Sequence, residues 1–449
     1  MIGYILLATS ILLYIINSKK WSLLLFLSFV SKGFCFLPDE IIGVKNLDLA
    51  FIYTFVVILF SLFTKDKIVQ NKWLTLFILL LFCFLLCSAF FSHFYYSFSA
   101  LQILQGGRHL FLFLGYFIII RQKRDDLLWL IKIVYVLTVI SSILYAIQVV
   151  TGWEVLPYGE ARMDEITGVW RYYNSPLYLP LCIYITIFAP NLIKIPMKKV
   201  WLVVMIIAQI LTLGRLEIAT TLFIVIIGFL FQRKPSTIIA SVIILFILSF
   251  PMSDLLISRY TSETYNSESD IETIFNGGFK EMATGDRKIE GTLSYRFAWV
   301  YERYLYLKDR PFAEKMFGLG MISDSQYDLV LQRYNFKTGL INQESNEPTQ
   351  LETPDIAYGN LLTKYGYLGS IILLAILCYM IFYSYAYRND NPYYFILFLL
   401  MTGYMIRSLS GSIISSTSNL IMPFILFTLA LKNQILINSV RTCTPSCSL

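Results

Sequence analysis

Apolar runs close to twenty residues, the length that carries a helix across a bilayer, recur along this 449-residue chain. Trp73–Phe91, Leu127–Val150 and Tyr365–Tyr385 are among the longest. The runs do not alternate polar with apolar residues, which excludes a closed β-barrel. Only 14% of the residues are charged, against roughly a quarter in soluble domains. So little polar surface cannot cover this much apolar side chain in water. The sequence therefore predicts an all-α polytopic membrane protein with about thirteen transmembrane helices, roughly 12–14 if short ones are miscounted. One large polar loop containing helices interrupts them.

That loop runs from Ser253 to Asp355. It holds 17 of the 29 acidic residues and carries −6, so the rest of a chain of net charge +7 carries +13. The excess lies in alternate short connections, such as Lys65/Lys67/Lys72, Arg121/Lys123/Arg124 and Lys194/Lys198/Lys199. Positive charge marks cytoplasmic connections. The alternation thus predicts an outside N-terminus, an inside C-terminus and a loop outside the cytoplasm. The expected organisation is a helix bundle over 1–252, the extracytoplasmic loop over 253–364, further spans over 365–432 and a cytoplasmic tail over 433–449. The apolar N-terminus has no basic leader or cleavage signature and reads as a first membrane helix. Cys443 and Cys447 do not match a prenylation spacing.

No soluble domain gathers the basic charge, which argues against nucleic acid as a partner. The loop has no cysteine, and the two histidines, His93 and His109, lie outside it. Neither a thiolate nor a histidine metal site is expected, and no cofactor is called for.

Within the loop, residues 261–288 are rich in Ser, Glu and Gly and read as mobile. A helix follows, capped by Thr292 or Ser294 and ended by Arg310-Pro311. On it Arg296, Val300 and Arg303 share one face, while Phe297, Val300, Tyr301 and Tyr304 supply apolar surface. That pattern predicts a helix packed on the membrane domain, with at least one arginine inward. Gly318-Leu-Gly320 reads as a turn, and 334–353 as irregular.

Charged residues in or beside the apolar runs carry the functional signal, each with a plainer reading beside it. Arg215 lies in Thr212-Leu-Gly-Arg-Leu-Glu217, within a stretch too long for one span and with almost no linker for two. A tight turn or broken helix at Gly214 fits, with Arg215 facing protein or a water-filled cavity. The plainer reading is an arginine snorkelling at a helix end, or pairing with Glu217. Arg108 follows Gln105-Gly-Gly107, where glycine permits close backbone approach or a kink. It reads either as a ligand contact or as an interfacial anchor. Arg171, in Trp170-Arg-Tyr-Tyr-Asn-Ser175, sits among residues that suit sugar contacts and equally suit an aromatic belt. Arg407 opens the last external connection, and an anchoring role is the plainer reading there. Asp355, after Pro354, is either a helix N-cap or a carboxylate poised as a general base.

Several arginines on one external face suit a diphosphate, because guanidinium binds phosphate bidentately and keeps its charge when desolvated. A nearby carboxylate suits deprotonation of an alcohol. Together they point to group transfer from a lipid diphosphate to a hydroxyl, with no metal required.

At three places the chain resembles the O-antigen polymerase and O-antigen ligase superfamily of bacterial membrane glycosyltransferases. Leu211-Thr-Leu-Gly-Arg215 is similar to that family's Thr-x-Ser-Arg segment, with Gly214 where Ser is usual. Tyr295-Arg-Phe-Ala-Trp299 followed by Phe317-Gly-Leu-Gly320 is similar to its Arg…Trp helix and Gly-x-Gly turn. Asp355 through Gly369 is similar to the segment that returns to the membrane after the loop. The resemblance implies that Arg215 and Arg296 bind the diphosphate of an undecaprenyl-linked glycan; Arg108, from its own position, is a further candidate diphosphate ligand. Arg303, Arg171, Arg407 and Glu217 are secondary candidates for substrate contact. It also implies a metal-independent, inverting transfer. Ligases of the group carry a catalytic histidine eleven residues before the first glycine of the return segment. Counting back eleven from Gly366 reaches Asp355. A carboxylate there, though a weaker ground-state base than imidazole, favours the polymerase branch. The expected partners are undecaprenyl-diphosphate-linked oligosaccharides and membrane lipids, with a chain-length regulator and a flippase as neighbours. The expected location is the bacterial inner membrane. The alternatives are a ligase acting on lipid A core and, more distantly, a non-enzymatic polysaccharide transporter or flippase.

Overall fold

The computed structural model of the protein describes residues 2–38, 40–41, 43–64, 68–157, 161–163, 168–232, 267–288, 291–322, 338, 355–415 and 418–443. The expected span Ile238–Phe250, nearly all of the irregular stretch 334–353, and Cys447 lie outside the described residues.

Mostly helical, the chain begins with α1 (Ile2–Ile15), α2 (Lys19–Val30), α3 (Asn46–Leu62), α4 (Lys72–Tyr96), α5 (Ala100–Phe111) and α6 (Gly115–Ile119). It continues with α7 (Arg124–Thr151), α8 (Leu179–Phe188), α9 (Lys198–Leu211) and α10 (Arg215–Gln232). The polar segment holds α11 (Ser267–Phe275), α12 (Gly278–Thr284), α13 (Leu293–Lys308) and α14 (Phe312–Phe317). The last three helices are α15 (Ala357–Ala386), α16 (Pro392–Arg407) and α17 (Ser418–Cys443). Two short antiparallel hairpins qualify the all-α expectation: β1 (Glu40–Ile41) with β2 (Val44–Lys45), and β3 (Ala161–Met163) with β4 (Trp170–Tyr172).

Among the described residues four helices are long and apolar enough to cross a bilayer: α4, α7, α15 and Ser418–Ile437 of α17. Shorter apolar helices are α1, α3, α8 and Leu216–Gln232 of α10. The expected thirteen spans go beyond what helix length supports, because several apolar runs are divided. The run 101–120 is split by a tightened turn at Leu112–Leu114. The run 200–231 breaks at Leu213, whose φ is +52°, beside Gly214. There the sequence expected a tight turn or broken helix. At the C-terminus the helix does not stop at residue 432 but continues to Cys443, so most of the expected tail is helical.

Apolar helices in lipid gain little from the hydrophobic effect and are held by close packing instead. Glycine makes room for rings: a Cβ on Gly228 would fall 2.3 Å from Phe188, and one on Gly369 would fall 2.4 Å from Phe84. Helix α15 packs on α4 and α16, and α16 in turn on α8, α10 and α17.

The polar segment is docked on this bundle. Phe317 of α14 stacks on Phe84 and Phe91 of α4, with ring centroids 5.7 and 5.4 Å apart. Glu314, almost fully buried, accepts hydrogen bonds from the Tyr95 and Tyr306 hydroxyls at 2.6 and 3.0 Å, and Arg310 lies 3.9 Å away. The expected turn at Gly318-Leu-Gly320 is present and forms a strap. Leu319 and Gly320 donate their N–H groups to the Thr363 and Lys364 carbonyls, and Met321 donates to the Ser92 hydroxyl. Gly106 explains its glycine here, since a Cβ would fall 2.5 Å from the Ile322 carbonyl oxygen. On the other side Gly366, at φ +58° and ψ −161°, interrupts α15 and sits against Gly318. That backbone region is essentially restricted to glycine.

Candidate functional site

The helix that carries Arg296 begins at an unexpected cap. Thr292 holds the N-cap position but makes no side-chain capping bond, and Ser294 instead donates its hydroxyl to Asp270. Asp270, on α11, accepts the first N–H groups of α13 from Thr292, Leu293 and Ser294 at 2.8, 2.8 and 3.0 Å. These are the donors that a helix start leaves unpaired. Burial alone would raise the Asp270 carboxyl, but its four hydrogen bonds outweigh that and hold it below the ordinary carboxylate range. The part of the loop that read as mobile thus supplies two helices and the anchor of the Arg296 helix.

A carboxyl held low in the folded protein stabilises it fully above the ordinary carboxylate value and loses that contribution as pH falls through the depressed one. Asp270→Ala is therefore expected to loosen α13 by about 1–2 kcal/mol at neutral pH. The difference from the native protein should be largest at neutral pH and shrink at an acid pH below the depressed Asp270 value. Hydrogen exchange of the residue 292–294 amides at both pH values checks this.

Burial on α13 also differs from the expected pattern. Phe297 and Tyr304 are exposed, and the buried stripe is Ser294, Ala298, Trp299, Glu302, Arg303 and Leu307. Trp299 packs where α15 offers Gly359, a position at which a Cβ would fall 2.5 Å from the indole. Arg303 is the inward arginine, fully buried, 2.6 Å from Glu302 and 4.0 Å above the Trp299 ring. Burial lowers its pKa and Glu302 opposes that. Glu302 in turn accepts the Thr338 N–H. Arg303 therefore serves a packed ion pair.

Arg296 lies two turns earlier on the same face. Its side chain is 18% exposed and lies 3.9 Å from Asp355, half exposed at the end of the loop. Burial lowers the Arg296 pKa, and the charges of Asp355 and Asp270 oppose it. Arg296 Nε and Trp299 Nε1 are buried donors with no hydrogen-bond partner among the described residues. Unpaired buried donors are uncommon in native structures and call for an explanation. Asp355 is not the helix cap it resembled: Ile356 occupies that position, with no side-chain capping bond.

A second ion pair lies next to the first. Glu217, on the first turn of α10, accepts from Arg407 at the end of α16 at 2.5 Å. The pairing of Glu217 with Arg215 that the plainer sequence reading offered falls on a side chain outside the described residues. The end of α16 also braces the return segment: Ala357 donates its N–H to the Ser408 carbonyl, and the Tyr358 hydroxyl donates to the Met405 carbonyl. Asp355, Arg296, Arg407 and Glu217 thus surround one structural joint. The backbone of Arg215 starts α10 two residues before Glu217; its side chain lies outside the described residues.

Arg108 stands apart from this joint, bonded to Asp48 at 2.6 Å. Asp48 and Glu314 escaped the sequence reading for different reasons. Asp48 interrupts an apolar run and carried a signal in that position, whereas Glu314 is one of many loop carboxylates. Arg171 lies in β4 opposite Arg162, its guanidinium 4.9 Å from the Tyr173 ring. The Tyr145 hydroxyl of α7 donates to the Tyr172 carbonyl, which ties the hairpin to the bundle.

Helix-rich architecture, four membrane-length helices and a docked polar segment with paired arginines and carboxylates at its edge suit a membrane protein with a polar site near one end of its bundle. No protein-family model matches the chain, and no curated protein sequence matches it either.

Proposed function

We propose that the protein polymerises surface-polysaccharide repeat units at the outer face of the bacterial inner membrane, with its polar segment in the periplasm. The observation that carries this reading is the approach of Arg296 to Asp355 at 3.9 Å, across 59 positions of chain. It joins the diphosphate ligand and the base that the chemistry needs. A sugar hydroxyl of the lipid-linked acceptor attacks the anomeric carbon of the donor glycan. The bond from that carbon to the undecaprenyl diphosphate oxygen breaks, inverting the centre, and the hydroxyl proton passes to Asp355. Arg296 and Arg215 neutralise the leaving diphosphate, and Arg407 and Arg171 flank it. In the resting state the Arg296 guanidinium lies 3.9 Å from the Asp355 carboxylate. A bound diphosphate would then compete for the same guanidinium.

The test is the surface-glycan ladder of a deletion strain. Polymerase loss is expected to leave cores capped with one repeat unit and no long chains. Lipid-linked polymer that never reaches the core would instead identify a ligase, and unmodified cores with stalled lipid-linked single units a flippase.

A further inference from the structure

The hairpin of β3 and β4 is built more rigidly than an exposed connection needs. Gln148, near the end of α7, receives the N–H groups of Val155 and Leu156 on its carbonyl and donates to Asn174 at 3.2 Å. Tyr172 is buried and its hydroxyl donates to the Gly152 carbonyl at 2.9 Å. Gly152, at φ +73°, lies so close under the Trp170 indole that a Cβ would fall 2.8 Å from it. This framework holds large side chains out rather than in. Trp153 is 75% exposed, and Trp170 and its cross-strand partner Met163 are 37% and 50% exposed.

We infer that Trp153 and Trp170 form a carbohydrate-binding platform for the glycan chain that leaves the joint of the two ion pairs. This rests on the proposed function. An aromatic face is the negative side of a quadrupole, and the C–H face of a sugar ring is apolar and weakly positive, so the two stack in water. A ring already placed before binding stacks at little entropic cost, and Trp170 is so placed over Gly152. A bilayer interface is the other common home for exposed tryptophan. Local charge disfavours it: residues 151–174 carry Glu154, Glu160, Asp164 and Glu165 against Arg162 and Arg171, an acidic balance that an anionic lipid surface repels. The Tyr145 hydroxyl of α7 donates to the Tyr172 carbonyl, which ties β4 and its exposed tryptophan to the bundle.

The test uses the full-length protein in nanodiscs of phosphatidylethanolamine and phosphatidylglycerol. The probe is the oligosaccharide released by mild acid from the host strain's own surface polysaccharide. Tryptophan fluorescence is expected to change saturably with the probe in the native protein and in Arg296→Ala. The amplitude should fall at least fivefold in W153A/W170A. W153A alone, which removes only an exposed ring, should already weaken the probe and so guards against misfolding of the double variant. An unaltered response in both variants, or no response in the native protein, overturns the platform. So does strong quenching of these two tryptophans by nitroxide-labelled lipids, which would assign them to the bilayer. Long chains surviving in Arg296→Ala would sink the proposed function; loss of the fluorescence response while chain growth still depends on Arg296 would sink the platform alone.

Discussion

Arg296→Ala is expected to cut chain growth by roughly two to three orders of magnitude, the usual loss when one preorganised donor to a developing anion is removed. The expectation follows from where the guanidinium lies. It is mostly buried, has one carboxylate at 3.9 Å and an Nε with no partner among the described residues, so much of its donor capacity is uncommitted. Arg296→Lys should recover only part of the activity, because an ammonium is a point charge without the bidentate fork. Asp355→Asn should fall as far as Arg296→Ala, since the amide keeps the shape and loses the proton acceptor. The readout is the glycan ladder, normalised to the amount of protein in the membrane. Native ladders from both Arg296→Ala and Asp355→Asn would remove these residues from the chemistry.

Gly366→Ala is expected to disable the protein without touching either ion pair. Its backbone lies in a region where any side chain costs about 1–3 kcal/mol. The added Cβ would also fall 2.5 Å from the Gly318 nitrogen and 2.6 Å from the Met316 carbonyl oxygen. Neither neighbour is a flexible side-chain end, so the strap must lift. Gly277→Ala is the control: it too has positive φ, at +76°, but nothing lies within 4 Å of the added carbon. Limited proteolysis of oriented vesicles should cut the polar segment faster in Gly366→Ala than in Gly277→Ala. Equal rates would show that the strap does not depend on the glycine pair.

Much of the architecture was legible because it rests on local signals. Apolar runs became helices, α13 ended just before Arg310-Pro311, and Gly318-Leu-Gly320 became a turn. Gly106 gave the close approach that Gly-Gly permits. The Arg296–Asp355 approach was foreseen only as a shared role, because no spacing rule reaches across 59 positions. Partner choice was not legible. Arg407 takes Glu217 although Arg215 is its sequence neighbour, and Asp270 caps a helix that begins 23 positions later at Leu293. Such choices are made by tertiary packing, which a local pattern does not encode. The break beside Gly214 was expected, but the tightened turn at Leu112–Leu114 was hidden for the same reason. Hydropathy reports what a segment avoids and says little about where its backbone bends.

Most of the hydrogen bonds that seat the strap run through main-chain atoms. Leu319 and Gly320 meet Thr363 and Lys364 backbone to backbone, and only Ser92 contributes a side chain. Main-chain groups are the same in every residue but proline. The strap itself therefore sets few conditions on side-chain identity beyond Ser92 and glycine at 106, 318, 320 and 366, where an added carbon would collide. Drift would be felt instead in the docking beside it, where Phe317 stacks and Glu314 is bonded through its side chain, so the path of the strap would outlast the residues along it.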